Sequence, residues 1–199
     1  MAIDSAVAKK DYYRALYEVA KTVNSSLSLS QVLNRVAEST AHAMGAKACS
    51  LRLLDSLRAT LEIVASYGLS APYIAKGPVE IAKSLVDAKA LQGRPVHVSD
   101  PQTDPRLQYP DEMVREGIAS LVVVPVMVKD TAIGVMRVYT AEARAFGAED
   151  MAFLEAIASL GGIAIENART YEALEEQFLA IRREKLPWAE NFHKPYWRG

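Results

Sequence analysis

The chain has 199 residues, which is enough for one domain with extensions. Half of the residues are hydrophobic and 24% are charged, as is typical of globular domains. The 23 Lys and Arg residues against 24 Asp and Glu residues give a net charge of −1, which argues against a general attraction to nucleic acid or to anionic membranes.

The cysteine content and the start of the chain limit the compartment. The single cysteine, Cys49, excludes an intrachain disulfide and a cysteine-based zinc site. The opening residues, MAIDSAVAKKDYY, lack the apolar core of a signal peptide, and no run approaches the roughly 18 apolar residues that span a bilayer. We therefore expect a cytoplasmic protein with no membrane partner.

Helical periodicity and capping signals predict two helices before the first strand. The first covers about residues 11–24, after an N-terminal extension of residues 1–10. The second begins at a capping box formed by Ser28 and Gln31. Gly45 can adopt the left-handed conformation that ends it.

A strand-rich region follows. Alternating and apolar runs predict strands at KACSLRLLD, TLEIVASYG, PVHVSD, ASLVVVPVMVKD and TAIGVMRVYT. A short helix is expected within PVEIAKSLVDAKA, and a structured loop, DPQTDPRLQYPDE, should lead into a small helix. The last two strands should turn at Lys129 and Asp130. A closing helix should begin near Gly147 and continue to about Lys185.

Four segments, taken together and in this order, resemble the GAF domain, a relative of the PAS domain. They are PVHV with the following DPQTDPR, then SLVVVPV, then IGVMRVYT, and FGAEDMAFLEAIASLGGIAIENARTYEAL. The resemblance implies an α+β fold with an antiparallel sheet of about six strands. It places the N-terminal helices and the closing helix on one face, and a ligand pocket on the other face under the short helices and the long loop. The predicted domain is 11–174, followed by a helix extension and tail over 175–199.

GAF domains bind cyclic nucleotides, bilins, haem, amino acids or other small molecules, so the resemblance leaves the ligand or cofactor unidentified. The chain lacks the asparagine-lysine element of the cyclic-nucleotide signature, although Phe146 and Asp150 match its later residues. The family's methionine sulfoxide reductases depend on several cysteines, which one cysteine cannot replace. The three histidines show no metal-ligand spacing, and no catalytic constellation is present. We expect a sensor without a metal and without catalysis.

Two arginines stand in otherwise apolar strands. The strand order of the family puts the first strand, with Arg52, beside the fifth, with Arg137, so the two guanidiniums could share a carboxylate or phosphate ligand. The alternative is internal pairing, with Glu62 as the neighbouring partner for Arg52. In the long loop, Asp100 and Asp104 are expected to bond their own backbone. The other predicted ligand contacts are Ser84, Leu85, Arg106, Tyr109, Met113 and Ser120.

The closing helix carries an apolar heptad seam that is longer than one domain needs. Gly161 and Gly162 interrupt it, which predicts either a close approach to a neighbouring element or a kink. We expect a homodimer in which the first and last helices of two copies form a bundle; the alternative is a tail folded onto its own domain. The predicted interface residues are Tyr13, Leu16, Tyr17, Tyr171, Leu174, Phe178 and Ile181.

The tail, REKLPWAENFHKPYWRG, combines aromatic and basic residues, which are common interface anchors. We expect it to dock on the partner subunit, on its own pocket or on another protein, with nucleic acid as the weaker alternative. The leading hypothesis is a stand-alone sensory GAF domain that binds a small molecule, with an anion favoured by the two arginines, and signals in trans as a homodimer. The first alternative is an interaction and dimerisation module with a vestigial pocket. An enzyme of unrecognised type is the third.

Overall fold

The computed structural model describes residues 2–24 and 28–185, with side chains for 11–24 and 28–182. The chain divides into two units, residues 1–164 and residues 165–199. The helices are α1 (Ala2–Val23), α2 (Leu29–Ala43), α3 (Ala71–Ala75), α4 (Leu85–Ala90), α5 (Pro110–Arg115) and α6 (Ala148–Lys185), with a 3₁₀ turn at Ile81–Lys83. The strands are β1 (Ala48–Leu54), β2 (Thr60–Tyr67), β3 (Val79–Glu80), β4 (Val96–Val98), β5 (Ser120–Val128) and β6 (Thr131–Thr140).

The first unit is built on one antiparallel sheet of six strands in the order β3-β2-β1-β6-β5-β4. This confirms the predicted α+β fold. The strand that holds Arg52 lies beside the strand that holds Arg137, also as predicted. The sheet gains its sixth strand from β3, a segment that the sequence pattern assigns to a short helix. The turn between β5 and β6 lies at Lys129 and Asp130, and Lys129 adopts a positive φ of 53°.

The sheet has two differently covered faces. On one face, apolar side chains from all six strands pack with side chains of α3, α4, α5 and the loop before α5. Alternation along β1 and β6 places Ser50, Arg52, Arg137 and Tyr139 on this same face. The opposite face packs against helices, since the Thr40 hydroxyl of α2 contacts the sulfur of Met136. We call the first the ligand face, after the pocket that the resemblance implies there.

The N-terminal helix is longer than predicted, because α1 begins at Ala2 rather than near Asp11. From residue 11 onward, where its side chains are described, the buried ones are Tyr12, Ala15 and Val19. Tyr12 stacks on Phe153 with 4.3 Å between ring centroids, and its hydroxyl donates to the Asp150 carboxylate. Tyr13 and Tyr17, two of the predicted interface residues, are exposed on the same helix.

Both predicted signals at the ends of α2 are confirmed. The Ser28 hydroxyl accepts a hydrogen bond from the Gln31 amide, and the Gln31 side chain accepts one from the Ser28 amide at 2.9 Å. Gly45 follows the helix with φ of 56°, a conformation that favours glycine.

Close packing explains one of the two glycines in the closing helix. A Cβ on Gly162 would lie 2.1 Å from the backbone oxygen of Met127 in β5. A Cβ on Gly161 would meet only the end of the Leu51 side chain, at 3.4 Å. The helix therefore approaches the sheet backbone at Gly162, which confirms the predicted close approach.

The predicted domain limits at residues 11 and 174 stay predictions. The aromatic tail from residue 186 onward lies outside the described residues. Among the described helices, none has the length and hydropathy needed to cross a bilayer.

We expect Gly162→Ala to lower the free energy of unfolding by about 2 kcal/mol or more, because the methyl group collides with strand backbone that cannot move aside easily. Gly161→Ala is the matched control, since it adds the same group to the same helix with ordinary contacts. It should be neutral or stabilise by up to about 1 kcal/mol through helix propensity. Urea unfolding measures both, and equal effects would contradict the close approach.

Candidate functional site

The centre of the ligand face holds a buried ion pair. Arg137 of β6 donates through Nε to Oδ1 of Asp87 in α4 at 2.9 Å, and through Nη2 to Oδ2 of the same carboxylate. Both side chains are almost fully enclosed, with 1% and 0% of their surface exposed. Although burial opposes it, the adjacent Asp87 carboxylate raises the pKa of Arg137. The Ser84 hydroxyl donates to Asp87 Oδ2 at 2.5 Å and completes the pair.

Arg52 lies beside this pair but has no partner of its own. In the β1–β6 register, Arg52 is opposite Val135 and Arg137 is opposite Ser50. The two arginines are therefore diagonal neighbours on adjacent strands, a relation that places the two residues about 7–8 Å apart. Arg52 has 0% of its surface exposed. None of its three guanidinium nitrogens has a hydrogen-bond partner among the described residues.

The prediction that Glu62 pairs with Arg52 is wrong. The β1–β2 register places Glu62 opposite Leu53, and it places Arg52 opposite Ile63, with an irregularity between Leu51 and Arg52. Glu62 is exposed, whereas Arg52 is buried. The two side chains are therefore on different sides of the hairpin.

Two further donors without hydrogen-bond partners interact electrostatically with the arginines. The Tyr73 hydroxyl of α3 and the Lys76 ammonium that follows α3 are both buried and make no hydrogen bond among the described residues. Lys76 Nζ lies 4.3 Å from the Tyr73 ring centroid and 5.0 Å from that of Tyr109. Tyr73 in turn meets Tyr139 edge to face, with 6.0 Å between ring centroids. We call Arg52, Tyr73, Lys76, Asp87 and Arg137 the Arg52 cluster.

Positive charge accumulates within the Arg52 cluster. Burial, and then the charges of Arg52 and Arg137, lower the pKa of Lys76 to about 7, although Glu112 and Asp87 act in the opposite direction. Burial is also the main cause that raises the pKa of Tyr73, so this phenol stays protonated and remains a hydrogen-bond donor. Three basic side chains thus share a region in which Asp87 is bonded to Arg137, while neither Arg52 nor Lys76 is bonded to a carboxylate among the described residues.

The predicted ligand contacts around α4 and α5 separate into buried and exposed residues. Ser84 joins the Arg52 cluster through its bond to Asp87. Leu85 does not, because α4 turns Val86, Asp87 and Ala90 inward and leaves Leu85 59% exposed. Met113 is buried in the apolar packing on the ligand face.

In the long loop, Tyr109 lies near the cluster and Arg106 does not. The Tyr109 hydroxyl donates to the Pro78 carbonyl at 3.0 Å, which holds its ring beside Lys76. Arg106 instead forms a local pair with Asp104, with Nη2 2.5 Å from Oδ2. Asp104 also accepts from the Arg106 amide, and Asp100 accepts from the Gln102 amide, so both aspartates bond their own loop as expected.

Ser120 and His97 lie away from the Arg52 cluster. Leu121 and Val123 face the cluster side, so alternation turns Ser120 to the opposite face, where its hydroxyl lies 2.6 Å from that of Thr140. His97 alternates with the buried Val96 and Val98, is exposed, and packs against Phe146 at 5.3 Å. Its side chain therefore points away from the ligand face.

Sequence reasoning misses three members of the Arg52 cluster: Tyr73, Lys76 and Asp87. Asp87 carries a usable signal, because it lies next to Val86 and three residues before Ala90 on the inward stripe of a short helix. Tyr73 lies in α3, a helix of five residues that is capped by Ser70, and Lys76 follows its last residue. A helix of this length is too short for periodicity to show which side is buried.

The Arg52 cluster is enclosed, and several surface depressions lie elsewhere. Two of them are a groove between α1 and α2 around His42, and a depression around Ala143 after β6. Within the described part of the chain, His, Cys, Asp and Glu side chains form no group of three that could hold a metal ion. Cys49 is buried, and burial raises the pKa of its thiol, which keeps it protonated and unreactive.

An antiparallel sheet with helices on one face and a buried polar cluster under short helices on the other defines an α+β fold that signalling proteins typically use for sensing. Residues 26–166 match the sequence profile of the GAF domain, and the chain belongs to the GAF domain family. This confirms the resemblance. No curated protein matches the sequence.

Solved structures agree in fold. The GAF domain from a phosphoenolpyruvate-protein phosphotransferase of Coxiella burnetii superposes with a TM-score of 0.73 at 22% identity, over 82% of this chain and 98% of that one. A free methionine-R-sulfoxide reductase from Neisseria meningitidis, in complex with its substrate, superposes with a TM-score of 0.68 at 19% identity, over 80% of this chain and 91% of that one. Residues 122–287 of a methyl-accepting chemotaxis protein superpose with a TM-score of 0.65 at 23% identity, over 78% of this chain and 99% of that segment.

The lowered pKa of Lys76 predicts how stability depends on pH. Between its folded value of about 7 and its ordinary value of about 10.4, the unfolded chain holds a proton that the folded chain has released. This group therefore makes stability rise with pH across that window. Lys76→Met removes the effect, so we expect the variant to be more stable than the native chain at pH 6 and to lose this advantage as the pH rises toward 9.5.

Urea unfolding at several pH values measures this difference. Lys83→Met is the matched control, because Lys83 is an exposed lysine paired with Glu80 at 2.7 Å. Its stability difference from the native chain should stay flat over the same range. A flat difference for Lys76→Met as well would show that Lys76 is not held in a cationic, buried environment.

Proposed function

We propose that this chain is a sensory or regulatory GAF domain that binds a small anionic molecule in the Arg52 cluster. The observation that carries the proposal is the Arg52 guanidinium, which is fully buried and without a hydrogen-bond partner among the described residues. The sensing role follows the typical use of the fold in signalling proteins, such as the chemotaxis protein that is similar in structure.

Electrostatics favour an anion over a neutral or cationic ligand. An unsatisfied buried polar group costs about 1–3 kcal/mol, and a charged group costs more. Arg137 avoids this cost through Asp87, but Arg52 has no such partner. A carboxylate or phosphate group can accept two parallel hydrogen bonds from a guanidinium, which compensates charge and hydrogen bonding together. A cation would meet the charges of Arg52, Lys76 and Arg137.

The arrangement favours binding over catalysis. Apart from the Lys76 amine, the side chains of the Arg52 cluster are donors and one carboxylate, and that carboxylate is bonded to Arg137 and not to Lys76, where it could act as a base. The reductase that is similar in fold is described as a complex with its substrate, so this fold can enclose a small molecule. Because the identity is 19%, that likeness supports the fold alone.

Thermal unfolding of the full chain in sodium acetate, malonate or phosphate, against chloride at equal ionic strength, tests anion binding. We expect at least one anion to raise the Tm of the native chain, because it supplies the missing partner of Arg52. Arg52→Met should unfold at a Tm that does not respond to these anions. Met occupies a similar length without charge, and circular dichroism checks that the variant folds.

Arg106→Met is the control, since it removes a positive charge from a loop pair outside the Arg52 cluster. It should keep the response of the native chain. A native chain whose Tm is the same in all these salts would overturn the proposal, as would an Arg52→Met variant that responds fully.

A second candidate function is dimerisation, and exposed apolar side chains favour it. In the first unit, Tyr13 and Tyr17 of α1 are 65% and 66% exposed. In the second unit, apolar residues recur at steps of three and four along the helix and are exposed: Tyr171, Leu174, Phe178 and Ile181. This spacing is that of the core positions of a coiled coil. We propose that a second copy of the chain covers these side chains.

Phe178→Glu tests the homodimer, because it places a charge in the centre of the proposed seam. We expect size-exclusion chromatography with light scattering to show a dimer for the native chain at micromolar concentration and a monomer for the variant. Ala180→Glu adds the same charge two residues away, outside the seam, and should remain dimeric. A native monomer under these conditions would contradict the dimer and leave the anion site untouched.

A further inference from the structure

The Arg52 cluster contains all the buried side-chain N and O atoms that lack a hydrogen-bond partner among the described residues. They are the three guanidinium nitrogens of Arg52, the Tyr73 hydroxyl and the Lys76 ammonium. Every one of these groups can donate a hydrogen bond, and two of the three side chains are basic. The site therefore lacks acceptors and negative charge, in a region that is otherwise satisfied.

The number of missing charges follows from the pairs that are present. Asp87 is bonded to Arg137 and Ser84. Glu112, the other carboxylate that acts on Lys76, is half-exposed and lies 3.7 Å from Arg115. Neither carboxylate is bonded to Arg52 or Lys76. Two basic groups on the ligand face thus have no bonded counter-ion, so a ligand that binds both groups in their protonated forms must supply two negative charges.

We propose that the ligand is a compact dianion, with negative charge bound both by the Arg52 guanidinium and by the Lys76 ammonium. The inference rests on the anion site proposed above and adds the charge of the ligand and the role of Lys76. The Tyr73 hydroxyl, which is also buried and without a hydrogen-bond partner among the described residues, donates a further hydrogen bond. The complete burial of Arg52 limits the ligand to a small molecule.

Lys76 gives the site a property that Arg52 alone would not have. The groups that face Lys76 are Arg52 of β1, Arg137 of β6, Asp87 of α4, Glu112 of α5, and the rings of Tyr73 and Tyr109. With a pKa of about 7 among these groups, the Lys76 amine is mostly neutral at pH 8. A second negative charge beside Nζ favours the ammonium, so a dianion binds together with a proton. A monoanion held by Arg52 does not require this proton.

Isothermal titration of the dialysed full chain at pH 8 tests the inference. The probes are acetate as a monoanion, and malonate, succinate and inorganic phosphate as dianions. Each is titrated in Tris and in triethanolamine, which have different ionisation enthalpies, so the difference in heat gives the number of protons taken up. We expect at least one dianion to bind about tenfold or more tightly than acetate, with uptake of close to one proton.

The dianion probes distinguish two sources of the same chemistry. Stronger binding of malonate or succinate identifies a dicarboxylate ligand, and stronger binding of phosphate identifies a phosphate-bearing one. Lys76→Met should bind the preferred dianion no better than acetate and without proton uptake, while Lys83→Met should behave as the native chain. Lys76→Gln provides a second, polar variant if the first fails to fold.

The failures of the two proposals differ. If no probe binds the native chain, the anion site itself is wrong. If acetate binds as tightly as every dianion, or if Lys76→Met keeps both the preference and the proton uptake, the anion site stands and the dianion assignment is overturned.

Discussion

The ion pair between Arg137 and Asp87 joins the centre of the sheet to the element that covers it. Arg137 lies on a central strand, and Asp87 lies on α4, fifty residues earlier in the chain. Breaking a buried pair by removing one partner costs about 3–5 kcal/mol, so α4 cannot leave the sheet without a large penalty. The same pair uses the one carboxylate of the Arg52 cluster, which leaves Arg52 and Lys76 without a bonded counter-ion.

Most of the fold can be predicted because its signals are local. The Ser28–Gln31 box, Gly45 and the apolar strands act over a few residues, and the structure has all of them. β3 escapes prediction because two residues are too few to show alternation. The orientation of α1 is not predictable in the same way, because an apolar stripe through Tyr13 and Tyr17 does not show whether the domain itself or a second copy covers it. Among the described side chains of this helix, Tyr12, Ala15 and Val19 are the buried ones.

The candidate site is only half visible in the sequence. A charge inside an apolar strand is conspicuous, so the sequence pattern alone singles out Arg52 and Arg137. Their surroundings are not visible in this way, because a charged residue in a helix is ordinary and a pairing over fifty residues leaves no local trace. Glu62 is the expected partner of Arg52 because it lies on the adjacent strand, but the irregularity at Leu51 and Arg52 changes which residues share a face.

An anion bound in the Arg52 cluster, as proposed, would couple ligand binding to the packing of the elements around it. Arg52 belongs to the sheet, while Tyr73 and Lys76 belong to α3 and the residue after it. Without an anion, Arg52 repels the protonated form of Lys76, which contributes to the lowered pKa of that lysine. A dianion bound as proposed replaces that repulsion with attraction and stabilises the packing of α3 on the sheet by mass action. A site satisfied by its own side chains would gain little from a ligand. The missing counter-charge therefore allows occupancy to change the conformational equilibrium of this domain, which is the physical requirement for a sensor.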